Sequence, residues 1–248
     1  SLDIDTIAIG AFGAVAHGVF VSASGGNMGP SPASVTNLAP WVTTVGASTL
    51  DRTFPANVIL GNNRTSLSGV SLYSGPALPH PTLFPLADAR DLGFKLNAAD
   101  PNSSTDDYES TSALCMNDSL NPALAKGKIV LCQRGGNTRT AKGAEVRRAG
   151  GVGMILMNSE MDGEGLVADS HVLPALTVGY SAGSAIGEYI ATSRDPIASI
   201  MFRGTELGVK PAPIVASFSS RGPGQFVPEV LKPDIIAPGV NILAAWTP

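Results

Sequence analysis

Apolar residues at Ile4, Ile7, Ala11, Val15 and Val19 recur at the three- and four-residue spacing that lays one stripe along a helix. Asp5 stands where an N-cap belongs and Gly18 where a helix stops. The run Val19 to Ser24 reads as a buried strand, ended by the breaker-rich Gly25-Gly26-Asn27-Met28-Gly29-Pro30. A second short strand is expected over Trp41 to Ala47, and a hairpin from Ala56 to Leu60 and Leu67 to Leu72 around Gly61-Asn62-Asn63. From Tyr73 to about residue 127 the chain is rich in Pro, Ser, Asn and Asp, and irregular structure is expected.

Regular pattern then resumes. Strands are expected at Lys128 to Cys132, Val152 to Asn158, Ala175 to Val178 and Ile197 to Phe202, with helices at Thr138 to Ala149 and Ser181 to Thr192. The tail from Pro211 returns to the style of the opening, with strands at Ile214 to Phe218 and Asp234 to Ala237 and a further apolar stretch at Val240 to Ala245. The layout predicts a small domain of about 130 residues, near the commonest domain size, inserted into a larger α/β domain whose two flanks are seen here.

Composition narrows the class. Of 248 residues, 44% are apolar and 15% charged, with 28 Gly and 19 Pro, which fits a loop-rich globular chain and excludes disorder and collagen. A net charge of −4 without a basic block argues against nucleic acid as a partner. The apolar stretch Ala8 to Val21 is too short to span a bilayer as a helix, so no membrane association is expected. Ser1 opens the chain without Met, and Asp3 and Asp5 stand where a signal peptide carries positive charge, so a processed front is expected.

Cys115 and Cys132 suit neither a four-ligand zinc site nor a Cys-x-x-Cys redox pair, and no metal or other cofactor is expected. Sequons at Asn63, Asn102 and Asn117 agree with an even cysteine count on a secreted, extracellular glycoprotein with one disulfide; two unrelated buried thiols and chance sequons are the alternative. We predict the Cys115 to Cys132 bond, because Cys132 ends a strand facing the irregular segment that bears Cys115.

Several local motifs invite a functional reading and have a structural one. Gly179-Tyr180-Ser181-Ala182-Gly183 matches the Gly-x-Ser-x-Gly of hydrolases, but His17, His80 and His171 all precede it, and Ser181 is read as a helix N-cap. Gly151-Val152-Gly153 follows a helix and opens a strand, the reverse of a dinucleotide loop. Gln133 to Arg139 reads as a capped helix start rather than a phosphate loop, and the acidic Asp106, Asp107 and Glu109 as a solvated loop. His171, close to Asp169, is given a structural role.

Ser22-Ala23-Ser24-Gly25-Gly26-Asn27-Met28-Gly29-Pro30 resembles the oxyanion-hole segment of subtilisin-like serine proteases, most closely the cucumisin-like plant subtilases. Ala39 to Ala47, Gly127 to Cys132, Gly150 to Leu156, Ala216 to Pro223 and Leu231 to Gly239 extend the resemblance over essentially the whole chain. The second and third of these fall in the protease-associated (PA) domain. The resemblance implies an incomplete subtilisin-like parallel-sheet domain of α/β class at residues 1–72 and 206–248, around a PA domain at 73–205.

It further implies that Asn27 aims its amide at the tetrahedral oxyanion, and that Ser22, Ala23, Ser24 and Gly25 wall the pocket for the residue before the scissile bond. The parent reaction is endopeptide hydrolysis of peptide or protein substrates through an acyl-enzyme. Ala23 replaces a frequent Cys, and Gly25 a usual Ala whose loss should widen the pocket. The Ala39–Pro40 bond is expected to be cis, as in relatives. The family's Asp-Thr/Ser-Gly and His-Gly-Thr-His motifs lie before the segment matched by Ser1, and Gly-Thr-Ser-Met after Pro248. The chain alone is therefore expected to be inactive and to need companion fragments or a homo-oligomer. A non-catalytic binding, defence or storage protein using its PA surface is the rival class.

Overall fold

The computed structural model describes residues 4–62, 65–94, 111–225 and 228–245. Sequons Asn63 and Asn102 and the acidic Asp106, Asp107 and Glu109 lie outside them. Two compact units form, one from residues 1–52 and 207–248 and the other from 53–206. In chain order the elements are helix α1 (Thr6–Ala16) and strands β1 (Ser22–Ser24), β2 (Thr43–Ser48), β3 (Arg52–Thr53), β4 (Pro55–Leu60), β5 (Ser66–Val70) and β6 (Phe84–Asp88). Then follow α2 (Pro122–Ala125), β7 (Ile129–Gln133), α3 (Arg139–Arg148), β8 (Gly153–Met157), β9 (Ala175–Val178) and α4 (Tyr180–Thr192). The chain closes with β10 (Ile197–Phe202), β11 (Glu206–Leu207) and β12 (Ile235–Pro238).

In the first unit, β2 lies between β1 and β12 in a parallel sheet, with Ser24 opposite Val45 and Ile235 opposite Val45 on the other side. Asp5 caps α1 by accepting from the amides of Ile7 and Ala8. Of the expected apolar stripe only Ala11 is buried. Ala8 and Ala11 are buried against Ala39 and Val42, whereas Ile7 and Val19 are 58% and 55% exposed. The reason is Trp41, whose indole donates to Ala8 O and stacks edge-on with Phe12, so the small residues meet the sheet.

Other expectations for this unit are also corrected. The strand ending at Ser24 begins only at Ser22, and Ile214 to Phe218 makes a single bridge, Val215 with Ser48, instead of a strand. Pro211 and Pro213, which lack amide hydrogens, precede it. Val240 to Ala245 forms no regular element. Ala39–Pro40 is not among the cis peptide bonds. Pro40 follows the first residue of a turn closed by Val42 N–H on Ala39 O at 3.0 Å, a position that takes proline with a trans bond, whereas a cis proline belongs one place later.

The second unit is a closed barrel of order β10-β4-β5-β9-β8-β7-β6. The pairings β6–β7, β7–β8 and β8–β9 are parallel, and β10–β4, β4–β5, β5–β9 and β10–β6 are antiparallel. The hairpin β4–β5 therefore belongs to this barrel, and the unit starts at Thr53, not at residue 73. Its alternating pattern is satisfied by Ala56, Val58 and Leu60 facing one core. β6, which the Pro- and Ser-rich composition of the segment had hidden, pairs Leu86 with Ile129.

β7 and β8 are buried on both faces, which accounts for their continuous apolar runs. Ile129, Leu131 and Ile155 join a core with Ile186 of α4, while Val130, Cys132, Met154 and Leu156 join another with Val146 of α3 and its C-cap Ala149. Cys115 and Cys132 are disulfide-bonded inside the latter core. Among the described residues, no helix is long and apolar enough to cross a membrane.

Candidate functional site

The loop after β1 belongs to the first unit and is held from both sides. Gly25 N donates to Val45 O at 2.8 Å, continuing the sheet by one bond, and Thr36 N returns a bond to Gly25 O at 2.9 Å. Ser24 Oγ accepts from Gly26 N at 3.0 Å, and Asn37 Nδ2 donates to Ser24 O at 2.8 Å. Gly26 has φ +99°, the left-handed region that glycine occupies without penalty, and Ser220 N bonds its carbonyl at 3.0 Å. Met28 N donates to Ser220 Oγ at 3.0 Å and Gly29 N to Phe218 O at 2.8 Å. Asn27 stands between these ties, exposed.

Ser22 and Ser24 are exposed, Ala23 is half-buried and Gly25 is buried. A methyl on Gly25 would sit 3.3 Å from Val45 O and 3.7 Å from Val35 Cγ2. The space it leaves thus lies toward β2 and the unit's own packing, so the expected widening of an open pocket does not follow.

The sheet under the loop is stapled by residues to which the sequence reading gave no role. Buried Lys232 donates through Nζ to Val42 O and to Asp234 Oδ2, both at 2.6 Å, and Thr44 N donates to the same carboxylate oxygen at 2.7 Å. The Lys232 hydrogen bond, followed by that of Thr44, holds the Asp234 carboxyl below the usual carboxylate range. Ser219 Oγ accepts from Ala47 N at 3.0 Å, and Arg221 O accepts from Ser34 N at 2.9 Å. The signal available for Ser220 was Gly26-Asn27 itself: a glycine before a polar tip residue asks what fills the space its missing side chain leaves.

In the second unit the hydrolase-like motif is structural. Gly179 is the N-cap of α4, and Ser181 is not; its amide and hydroxyl donate to Glu164 Oε1 at 2.9 and 2.7 Å. The hydroxyl, then the amide, holds the Glu164 carboxyl below its ordinary range. A methyl on Gly183 would overlap Met157, so the second glycine lets α4 lie against β8. Thr138 caps α3, and Gly150, at φ +79°, turns the chain from α3 into β8.

His171 is buried with both ring nitrogens unpartnered, beside the Arg139–Asp169 ion pair at 2.6 Å. Burial lowers its pKa, with Asp169 opposing and Arg139 reinforcing that shift. His80 is exposed on the rim of a largely apolar cavity of about 450 Å³ lined by Leu78, Leu83, Ile200 and Phe202. His17 caps α1 and bonds Gly13 O at 2.8 Å. Asn117 is exposed, while Ser119 of the same sequon is buried with its hydroxyl on Met116 O. No group of three or more metal-ligating side chains occurs among the described residues.

A PA domain model matches residues 85–186. The chain is 56% identical to the Subtilisin-like protease SBT1.5 of Arabidopsis thaliana and 54% identical to SBT1.6 from the same plant, over 98% of its own length in each case. It spans about 30% of the length of these relatives. Among solved structures, the Psychrophilic Subtilisin-like Protease Apa1 from the Antarctic Psychrotroph Pseudoalteromonas sp. AS-11 aligns over 84% of this chain and 52% of its own, at 14% identity and a TM-score of 0.37.

Proposed function

We propose that this chain, which belongs to the subtilisin-like proteases and carries their PA domain, supplies the oxyanion-hole segment of a secreted serine endopeptidase. The observation that carries the reading is the exposed Asn27 amide on a loop pinned immediately before and after it. In that role Asn27 Nδ2 donates to the oxyanion formed when a serine attacks a peptide carbonyl, and Ser22 to Gly25 form the wall beside the residue preceding the scissile bond. A preorganised donor of this kind lowers the barrier because its dipole is already oriented when charge develops; losing one costs about 10² to 10³ in kcat, a magnitude measured on a subtilisin.

The nucleophile and base are supplied by sequence outside these 248 residues, so the segment alone performs no hydrolysis. Ile7, Phe12, Val19, Phe20, Ile235 and Leu243 are exposed in the first unit. Further polypeptide of the protease, or a second copy, covers them. The exposed Asn117 carries a glycan in this reading.

The test is Asn27→Ala in the longer protease that contains this segment. The expected result is a drop of about 10² to 10³ in kcat with KM nearly unchanged. An unchanged kcat refutes the assignment. Peptide hydrolysis by the purified 248-residue chain, or labelling of Ser181 by a fluorophosphonate, refutes the inactivity.

A further inference from the structure

Ser220 is buried in the first unit and meets the loop bearing Asn27 with two different groups. Its main-chain N–H donates to Gly26 O at 3.0 Å, and its hydroxyl oxygen accepts from Met28 N at 3.0 Å. One residue thereby fixes the peptide units on both sides of Asn27. A Cβ built on Gly26 would lie 2.8 Å from Ser220 Oγ, so glycine at φ +99° is what lets the hydroxyl approach. Ser220 is itself anchored, because the next residue, Arg221, donates through its amide to Ser34 Oγ at 3.1 Å and accepts from Ser34 N and Val35 N at 2.9 and 3.1 Å.

We propose that Ser220 is a positioning residue for the oxyanion donor: it holds Gly26 and Met28 so that the Asn27 amide keeps one orientation. This rests on the reading of Asn27 given above. The physical basis is that an oxyanion donor works only when aimed before the charge appears, and that displacements of about 1 Å cost up to about 10² in rate. Without the hydroxyl the Met28 amide turns to water and the loop samples other conformations, while the backbone bond from Ser220 N remains. The effect therefore falls on orientation rather than on the fold.

The experiment is a double-mutant cycle in the longer protease, with kcat and KM measured for Ser220→Ala, Asn27→Ala and both together, alongside amide hydrogen exchange at Met28. Ser220→Ala is expected to lower kcat about 10- to 100-fold with KM within twofold, and to have less than a twofold effect once Asn27 is Ala. Exchange at Met28 should quicken at least tenfold while that at Thr44 does not change. If Ser220→Ala fails to fold, Ser220→Cys, which keeps a weaker acceptor, is expected to show the same pattern at smaller size.

An equal loss of kcat in both backgrounds, a change confined to KM, or unaltered Met28 exchange overturns the proposal while leaving Asn27 in its role. An Asn27→Ala variant with full activity overturns the oxyanion reading and this proposal with it.

Discussion

Breaking the Cys115–Cys132 bond tests how the barrel unit is stabilised. The two cysteines are 17 positions apart, and in the chain-entropy account a loop of that size removes about 3 kcal/mol of freedom from the unfolded chain. For a unit of residues 53–206, each kcal/mol corresponds to about 2 to 4 °C of melting temperature, so opening the loop should cost about 6 to 12 °C. Both cysteines are fully buried among Leu92, Leu120, Val130 and Leu156, so Cys→Ser would add stranded hydroxyls to the loss. The informative perturbations are reduction of the native protein and the Cys115→Ala/Cys132→Ala pair, whose difference reports the packing of the sulfur atoms. Calorimetry of the oxidised, reduced and Ala forms gives the three melting temperatures. A shift below about 2 °C after both thiols are shown by alkylation to be free refutes the reasoning, and two alkylatable thiols in the unreduced denatured protein refute the bond itself.

The remaining expectations concern the same two units. Glu145 is buried and accepts from Leu120 N, Asp118 N and the Arg148 guanidinium at 2.7 to 3.0 Å; burial opposes its ionisation, but these bonds outweigh it and lower its pKa. Glu145→Ala, which strands the buried Leu120 amide, should cost about 1 to 3 kcal/mol in urea unfolding at pH 7; a loss under about 0.5 kcal/mol refutes it. Because its folded pKa lies below the ordinary 4.5, that stabilisation is present above pH 4.5 and disappears as pH falls through the folded value. His171, also lowered by burial, is expected to add acid lability: the unfolded chain binds its proton first, so stability drops as pH falls below 6.5. His171→Leu should flatten the urea midpoint between pH 7.5 and 5 relative to wild type, and parallel profiles exclude this. Gly26→Ala, forced to φ +99° against Ser220 Oγ, should cost about 1 to 3 kcal/mol and at least tenfold in kcat of the longer protease; unchanged melting and kcat would count against the packing described.

Much of the fold was legible along the chain. Ala175 to Val178 and Ile197 to Phe202 were delimited by their own apolar runs and flanking breakers, and Asp5 by the need of a helix start for an acceptor. These are local effects, settled within a few residues by backbone geometry and side-chain reach. Likewise the two cysteines, the Asn27 loop and the Gly-rich turn after α3 are written in residue type alone.

Tertiary structure decided the rest, because the deciding partner lies far away in sequence. Whether β4 and β5 belonged to the first or the second unit depended on Met201 pairing with Asn57 and Thr177 with Val70, which no pattern in the hairpin announces. Ser181 was an N-cap by type, yet the helix starts one residue before it, and Glu164, 17 positions earlier, accepts from its amide and hydroxyl. Helix α1 is apolar on several sides, so periodicity gave its spacing but only Trp41 chose the face. The same holds at the candidate site: the family resemblance singled out Asn27, but the hydroxyl that bonds its neighbour is 192 positions away from Met28, and a hydrogen bond across that distance exists only once the chain has folded.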